Sequence, residues 1–395
     1  MLKVDEKRLE NNIQDLGKIG FQEGRGTTRI AYSPEYEKGR DLVKAWMEDA
    51  GMKTRIDPVG NLIGSLDGTV PGEKIVAMGS HIDSVPEGGI YDGAYGVLAA
   101  IECVKTLTEK KIRLRFPMEV IAFIDEEGTA VGGTFGSKCF IGMSIEHGMH
   151  EQMKEYGISD CDLAACANSG RDYQAYFELH IEQGAVLEYE KKEIGVAKGI
   201  VGILRYQARV KGLANHAGTT PMNLRRDAME GSCRIILQLL DEVKSHPEMV
   251  CTVGQIEASP GSYNIIPGEV RFTIDLRGPD MELMQRLIRE LQDQYADSLE
   301  IEEYVNQPPT QCDQRLQDTT RESVKRLKLT KLEMFSGAGH DLINMALITP
   351  SALIFIPSSG GISHCKDEYS SMKSMADGAN VLLNNLLELN KERGL

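Results

Sequence analysis

The chain has 395 residues, which exceeds one ordinary domain, so we expect two domains with ample material for a large core. Hydrophobic residues at 41% and charged residues at 26% are typical of a globular protein, and no apolar run approaches the roughly 20 residues of a membrane span. A formal net charge of −15 argues against nucleic acid or an anionic membrane surface as the partner.

The cysteines and the amino end bear on the cell compartment. The eight cysteines form no Cys-x-x-Cys pair, which in a chain of this length indicates reduced thiols rather than a disulfide framework. The amino end is charged and does not resemble a signal peptide. We therefore expect a cytoplasmic protein.

The first half of the chain alternates between helical and strand patterns. Helices are predicted over residues 4–17, 34–50 and 93–107, and strands over 53–57, 61–66, 74–78, 117–125 and 175–181. Polar residues gather where several of these strands end. This combination predicts an α/β sheet with a functional site along one edge.

From about residue 203 the pattern changes. Strands are predicted over 203–210, 251–257, 269–276 and 299–305, with helices over 222–245 and 281–297. The order is β-α-β-β-α-β, the split βαβ unit of ferredoxin-like α+β domains. Polar residues alternate with apolar ones along the first of these strands, at Arg205, Gln207 and Arg209. This alternation indicates an antiparallel sheet with one solvent-exposed face.

We interpret this second pattern as a domain inserted into the first. The Pro308-Pro309 pair marks the return, after which a helix over 315–328 and a strand over 351–357 resume the earlier pattern. The predicted division is a catalytic domain in two parts, 1–202 and 312–395, around an inserted domain, 203–311.

A glycine-rich stretch from Gly79 to Gly96 places His81, Asp83 and Asp92 at the end of a predicted strand and in the loop after it. Imidazole and carboxylate groups are ligands of zinc-like ions, and a His-x-Asp pair lets the aspartate hold the other ring nitrogen. Taken alone, the stretch is about as typical of a solvated acidic loop as of a metal site.

Two adjacent glutamates, Glu126 and Glu127, follow the next buried strand. One can bind a metal ion while its neighbour takes a proton from water. Taken alone, a solvated acidic turn is the better interpretation of this pair. Together with the glycine-rich stretch it favours a metal site.

His180 and His364, each beside a predicted strand end, complete a set of five ligands. His81 and His180 can bind one ion, Glu127 and His364 a second, and Asp92 can bridge the two. We predict two divalent metal ions per subunit, with zinc as the favoured metal. The same ligands also suit manganese, cobalt and nickel.

Seven blocks of the sequence resemble those of the hydantoinase/carbamoylase amidases, a branch of the dizinc aminoacylase and exopeptidase superfamily. The blocks are GSHIDSVPEGGIYDGAYGVL, DEEGT, ELHIEQG, GLANHAGTTPMNLRRDA, NIIPGEVRFTIDLR, SGAGHD and PSSGGISH. The resemblance covers most of the chain. It implies a metallopeptidase-like α/β catalytic domain interrupted by a ferredoxin-like lid that also forms a homodimer.

The resemblance also implies roles for individual residues. The metal ligands would be His81, Asp92, Glu127, His180 and His364. Glu126 would be the general base and Asp83 would orient His81. Substrate contacts would come from Gln183, His216, Asn264, Arg277 and Gly361, with His216 reaching the partner subunit's site and stabilising the charged oxygen of the reacting group. His340 and Asp341 would give structural support.

The implied reaction is hydrolysis of the ureido C–N bond of an N-carbamoyl-L-amino acid to amino acid, ammonia and carbon dioxide. Allantoate amidohydrolase is the alternative, because allantoate also offers a carboxylate and ureido groups. A dizinc dipeptidase or aminoacylase is disfavoured by His180, where many of those peptidases have an acid. A binding protein without activity is disfavoured because no ligand is missing. Thr129 to Gly133 departs from the family's usual Ser-Arg-Phe after the glutamates, so the substrate stays open.

Overall fold

The structure is a computed structural model that describes residues 2–167 and 172–391. The chain forms two compact units. The first comprises the residues up to Lys198, Gln311–Met334 and the residues from Ala338 onward, and the second comprises Gly199–Thr310 and Phe335–Gly337. The sequence predicts an insertion over 203–311, against 199–310 for the main segment of the second unit.

Thirteen strands of three or more residues are numbered here in chain order. They are β1 (Lys53–Ile56), β2 (Leu62–Leu66), β3 (Ile75–His81), β4 (Met118–Phe123), β5 (Tyr173–Ile181), β6 (Ile194–Ile200), β7 (Gly202–Lys211), β8 (Val250–Thr252), β9 (Ile256–Ser259), β10 (Glu269–Gly278), β11 (Leu299–Gln307), β12 (Lys331–Ser336) and β13 (Ser351–Ile356). Two-residue strands add short pairings, among them Asn215–His216 with Ile265–Ile266.

The helices are also numbered in chain order. They are α1 (Glu6–Gly17), α2 (Pro34–Asp49), α3 (Ala94–Glu109), α4 (Phe135–Phe140), α5 (His147–Glu155), α6 (Asp160–Cys166), α7 (Val186–Tyr189), α8 (Ala228–Lys244), α9 (Met281–Gln294), α10 (Gln314–Leu327), α11 (Leu342–Met345) and α12 (Met372–Leu389). Several begin at a side chain that accepts a hydrogen bond from the first turn, as Ser33, Asp280 and Ser371 do.

The first unit is built on a mixed sheet in the order β6-β13-β5-β3-β4-β2-β1, with β12 beside β6. The four central strands β13, β5, β3 and β4 are parallel, so their carboxyl ends share one edge. Every residue of β4 and β13 is buried, and all of them except Glu119 and Ser351 are apolar. This confirms the α/β fold predicted from the sequence.

Helices α3 and α12 pack against these central strands. Gly96 lets α3 come close to β5, because a Cβ atom there would lie 2.1 Å from the carbonyl oxygen of Leu179. The amino end of α3 is thereby fixed beside the carboxyl end of β5, where the polar residues gather.

The second unit has an antiparallel sheet in the order β8-β10-β7-β11, with β9 also paired to β10. Helices α8 and α9 pack against it. Along β7, Leu204, Tyr206, Ala208 and Val210 are buried in the apolar cluster between sheet and helices, while the polar residues between them stay partly exposed. The ferredoxin-like pattern expected from the sequence therefore forms.

Two predicted elements of the second unit differ clearly from the observed ones. The helix predicted over 222–245 begins only at Ala228, because the Asp227 side chain accepts the N–H of Met229 and starts the helix there. Residues 222–224 form a separate 3-10 turn. The strand predicted over 251–257 is interrupted and forms β8 and β9. In the described part of the chain, no helix is long and apolar enough to cross a bilayer.

Candidate metal centre

Two histidines stand at the carboxyl ends of adjacent parallel strands. His81 is the last residue of β3 and His180 the last but one of β5. Only 2% and 1% of their surfaces are exposed, and their ring centroids lie 5.9 Å apart. The sheet register therefore brings together two imidazoles that are 99 positions apart in the sequence.

Asp92 lies between these histidines and a third one. Its Oδ1 atom is 3.1 Å from Nε2 of His180 and 3.6 Å from Nε2 of His81, and its Oδ2 atom is 3.2 Å from Nε2 of His364. Although burial opposes it, hydrogen bonds from these histidines hold the pKa of Asp92 well below its usual value. One carboxylate thus faces imidazoles on both of its oxygens.

Gly93 makes this approach possible. It precedes α3 with a φ of +59°, a conformation that side chains disfavour, and a Cβ atom there would lie 2.3 Å from Nε2 of His81. The loop that carries Asp92 can therefore pass over His81 only with glycine at this position.

Glu127 and His364 form the other side of the centre. Glu127 follows β4, and its Oε2 atom is 3.5 Å from Nε2 of His364. Its Oε1 atom is buried without a hydrogen-bond partner among the described residues. Burial raises the pKa of Glu127 to about 7, while the contact with Asp92 raises that of His364 to about 9. A bound divalent cation would offset the repulsion between these closely spaced carboxylates and give the unpaired oxygen a partner.

These residues form two groups that share one member. His81, Asp92 and His180 make the first, and Asp92, Glu127 and His364 make the second. In each group the potential ligand atoms lie within 4.8 Å of one another. Imidazole nitrogens and carboxylate oxygens are the donors that zinc accepts. The residues present therefore fit a pair of metal ions with Asp92 between them.

Glu126 and Asp83 lie beside the first group. Oε2 of Glu126 is 3.6 Å from Nε2 of His81, and burial raises the pKa of Glu126 well above its usual value although His81 opposes this. Asp83 is fully buried, and its carboxylate accepts the backbone N–H groups of Glu126 at 3.4 Å and Glu127 at 3.2 Å. Nδ1 of His81 lies 3.1 Å from the carbonyl oxygen of Asp83 and 3.7 Å from its carboxylate.

Comparison with known proteins gives the family. Residues 77–388 match the peptidase family M20/M25/M40. The chain belongs to this family. An N-carbamoyl-L-amino-acid amidohydrolase of Paenarthrobacter aurescens is 35% identical, covering 96% of this chain and 97% of its own, and an allantoate amidohydrolase of Escherichia coli K12 is 36% identical, covering 98% and 99%. A hydantoinase/carbamoylase family amidase of Burkholderia multivorans superposes over the whole of both chains with a TM-score of 0.88 and 33% identity.

These matches confirm the resemblance inferred from the seven sequence blocks, and the M20 chain is a metal-dependent amidohydrolase. The reaction is therefore the hydrolysis of a C–N bond.

The M20 chain has a third acid beside its two glutamates. Asp125 adopts a φ of +57° and its carboxylate accepts the N–H groups of Ala130, Val131 and Gly132 at 2.6 to 3.0 Å. Asp125 therefore holds the loop after Glu127 and belongs to neither group of potential metal ligands. Sequence reasoning gave this residue no role.

Gln183 and Gly361 lie in the first unit near the centre. Nε2 of Gln183 donates to Oδ2 of Asp92 at 2.8 Å, and its Oε1 atom is buried without a partner among the described residues. Gly361 has a φ of +67°, and a Cβ atom there would lie 2.7 Å from the backbone nitrogen of Ala185. The loop before His364 thus depends on glycine for its path.

His216, Asn264 and Arg277 lie in the second unit. Nδ1 of His216 accepts the N–H groups of Gly218 and Thr219, so a neutral ring carries its proton on Nε2 and can donate from there. The carbonyl oxygen of Asn264 accepts the N–H of Ala217, which ties the two loops together.

Arg277, near the end of β10, is oriented by its neighbours. Its Nε atom donates to Asp275 at 2.7 Å and its Nη1 atom to the carbonyl oxygen of Gly337 at 3.0 Å. The side chain of Arg277 is 29% exposed, so its guanidinium plane is fixed without being enclosed.

His340 and Asp341 are buried in the first unit. The His340 ring packs edge-on against that of His180 with centroids 4.6 Å apart, and burial holds the pKa of His340 well below its usual value. Asp341 accepts a 2.6 Å hydrogen bond from Ser137. These contacts fix both side chains within the first unit, and their structural role stays a prediction.

Proposed function

We propose that this amidohydrolase hydrolyses N-carbamoyl-L-amino acids to the amino acid, ammonia and carbon dioxide. The observation that carries the proposal is the pair of ligand groups that share Asp92, with Glu126 standing 3.6 Å from His81 beside them. A centre of this composition suits hydrolysis of a poorly reactive carbonyl such as that of a ureido group.

In this proposal, His81 and His180 would hold one divalent ion, Glu127 and His364 would hold the other, and Asp92 would be shared by both. Zinc is the proposed metal, with manganese, cobalt and nickel as alternatives. When bound, such ions polarise the ureido carbonyl and make water a better nucleophile at neutral pH. The parallel strand ends and the Asp92 loop fix the spacing of the ligands.

Glu126 is the proposed general base. It takes a proton from the attacking water and returns it to the nitrogen that leaves when the C–N bond breaks. Its position supports both steps, because its Oε2 atom lies 3.6 Å from Nε2 of His81, beside the first group of potential ligands. Asp83 keeps the backbone of Glu126 in place through its hydrogen bond to that N–H.

Five residues are proposed to contact the substrate. Arg277 pairs with the substrate carboxylate through its planar guanidinium, and Asn264 adds an amide donor. His216 donates from Nε2 to the oxygen that becomes negatively charged. Gln183 accepts a ureido N–H through its unpaired Oε1 atom, and the Gly361 backbone borders the substrate.

We further propose that the enzyme is a homodimer formed through its second unit and that it acts in the cytoplasm. Strands β8 and β9 lie at an edge of the sheet and carry exposed apolar side chains, with Val250 59% and Ile256 50% exposed. Leu237 on the adjacent helix α8 is 59% exposed. An apolar sheet edge of this kind supports pairing with a second copy. The free thiols of all eight cysteines support a reducing compartment.

Allantoate is the second candidate substrate. Relatives named for allantoate and for N-carbamoyl-L-amino acids match this chain at almost the same identity, 36% and 35%. Allantoate presents a carboxylate to Arg277 and a ureido group to the metal centre, so the same residues could act on it.

A substrate panel tests the proposal. Metal-loaded enzyme would be assayed for ammonia release from N-carbamoyl-L-amino acids of different side chains, their D-enantiomers, allantoate and N-carbamoyl-β-alanine. We expect the highest kcat/KM with an N-carbamoyl-L-amino acid and at least about tenfold less with its D-enantiomer. A higher kcat/KM with allantoate would replace the proposed substrate by the second candidate, and no turnover of any ureido compound would contradict both.

A further inference from the structure

Glu368 is a buried carboxylate that the proposed reaction does not use. It is 5% exposed and lies four residues after His364. Its Oε1 atom accepts the backbone N–H groups of Tyr91 at 3.0 Å and Asp92 at 3.1 Å. Glu368 therefore fixes the backbone of the loop that presents Asp92.

The other oxygen of Glu368 reaches Asp92 indirectly. Oε2 of Glu368 is 2.9 Å from the hydroxyl oxygen of Ser363, and that hydroxyl is 3.1 Å from Oδ2 of Asp92. A hydroxyl has one proton, so it donates to one of these carboxylates at a time. Ser363 directly precedes His364, so its hydroxyl connects the loop that carries His364 with the loop that carries Asp92.

Gly89 supports this arrangement independently. A Cβ atom at Gly89 would lie 2.2 Å from Oε1 of Glu368 and 2.5 Å from its carboxyl carbon. The loop before Asp92 therefore leaves room for the Glu368 carboxylate, and a larger residue at Gly89 would expel it. On the far side, the N–H of Ser359 donates to the carbonyl oxygen of Tyr369 at 2.8 Å, which ties the residue after Glu368 to the loop that leads to His364.

We propose that Glu368, through Ser363, is a positioning residue that locks the Asp92 loop to the His364 loop and so sets the geometry of the second metal site. The inference rests on the proposed metal centre. Asp92 and His364 both belong to the group completed by Glu127, whereas the group of His81 and His180 has two ligands fixed by strand ends. Loss of the lock should therefore weaken the second site more than the first.

Metal titration of the protein after chelation and removal of the chelator tests this. Apoprotein would be titrated with Co²⁺ and Zn²⁺ by calorimetry, with bound metal counted by elemental analysis. We expect the wild type to bind two ions, and Glu368→Ala to bind the first ion as the wild type does while its second Kd rises about tenfold or more, as is usual when a ligand's supporting partner is removed. Ser363→Ala should raise the second Kd in the same direction.

The conservative variant separates hydrogen bonding from charge. In Glu368→Gln the amide oxygen can still accept both backbone N–H groups and the amide nitrogen can donate to Ser363, so we expect near wild-type binding of both ions. Glu102→Ala is the matched control: Glu102 is also buried and accepts the Asp5 N–H, and its loss should lower thermal stability without changing either Kd.

Failure of the proposed metal centre and failure of the role of Glu368 give different titration results. A wild type that binds fewer than two ions would overturn the proposed metal centre itself. If the wild type binds two ions but Glu368→Ala keeps its second Kd, or weakens both sites equally, the positioning role of Glu368 is overturned. A Glu368→Gln protein as defective as Glu368→Ala would also overturn it, because the hydrogen bonds would not be what matters.

Discussion

The carboxylate of Asp83 accepts the backbone N–H of Glu127 at 3.2 Å. Through this bond a buried acid just after β3 fixes the position of Glu127, which follows β4. The same carboxylate accepts the N–H of Glu126 and lies 3.7 Å from Nδ1 of His81. The sequence interpretation gave Asp83 one task, the orientation of His81. Its contacts indicate a second, the placement of both glutamates.

Asp83→Asn should therefore weaken metal binding. The asparagine amide has one acceptor oxygen, so one of the two backbone N–H groups would face an NH₂ group and lose its partner. We expect metal affinity to fall about 10- to 100-fold. Equilibrium titration of the apoprotein with Zn²⁺ measures this, and an unchanged affinity with unchanged thermal stability would show that Asp83 does not position the ligands.

Removal of the metal ions should abolish activity. Protein treated with a strong chelator and then freed of it should show no ammonia release above background, because the ligand groups alone do not polarise the substrate. Addition of Zn²⁺, Mn²⁺, Co²⁺ or Ni²⁺ should restore turnover, and the ion that gives the highest kcat identifies the best match. Metal-free protein that kept the original rate would mean that His81, Asp92 and His180 have another purpose.

Glu126→Gln should lower kcat while metal content stays the same. Glutamine keeps the size of the side chain but cannot take a proton, and general acid–base catalysis contributes about 10²- to 10⁴-fold. Steady-state kinetics with elemental analysis of the same sample separates lost chemistry from lost metal. Near-normal kcat at full metal occupancy would exclude Glu126 as the base.

The central strands were predictable because their pattern is simple. Both faces of β4 and β13 are buried, so their residues are apolar except for Glu119 and Ser351. Helix α12 is missing from the predictions although it is the longest described helix. Its buried residues include Asn380, Asn384 and Asn385, which interrupt the apolar period. Asn380 accepts the N–H of Val4 and Asn385 donates to the hydroxyl of Thr320, and both partners are distant in the sequence.

The candidate site was likewise only partly predictable from the sequence. The sequence identifies groups that metal ions prefer, and the parallel order of the strands brings them to one edge. It gives no signal for Glu368, whose partners Tyr91 and Asp92 are 277 and 276 positions away. The role of Asp125 was equally hidden, because an acid that caps a loop and an acid that binds a metal look alike in a sequence.

Arg277→Lys should impair binding of the substrate carboxylate. A lysine cannot form the two parallel hydrogen bonds of a guanidinium, so we expect KM to rise and kcat/KM to fall by about tenfold or more. Arg271→Lys is the matched control, because Arg271 lies on the same strand and pairs with Glu269 two residues away, as Arg277 pairs with Asp275. The control should leave both constants unchanged.

A substrate that lacks the carboxylate adds a second control for Arg277. With an N-carbamoyl amino acid amide, wild type and Arg277→Lys should have similar kcat/KM, since the group that Arg277 binds is absent. Equal losses with both substrates would indicate that Arg277 supports the fold of the second unit through Asp275 and Gly337 instead of binding the carboxylate.

His216 should act in the site of the partner subunit. In the proposed dimer, a His216→Ala chain and a Glu126→Gln chain are each inactive as homodimers, because every site lacks one of the two groups. A mixed dimer has one site that combines an intact Glu126 from one chain with an intact His216 from the other. Random exchange makes half of the dimers mixed, so about a quarter of the wild-type activity should return.

Subunit exchange must be measured in the same sample, for example by energy transfer between two differently labelled chains. Nε2 of His216 can donate because Nδ1 accepts the N–H groups of Gly218 and Thr219, and His216→Gln, which keeps a donor, should lose less activity than His216→Ala. If exchange is complete and no activity returns, His216 acts within its own chain or has no part in the reaction. Recovery of activity would require both a dimer and a site completed across its interface.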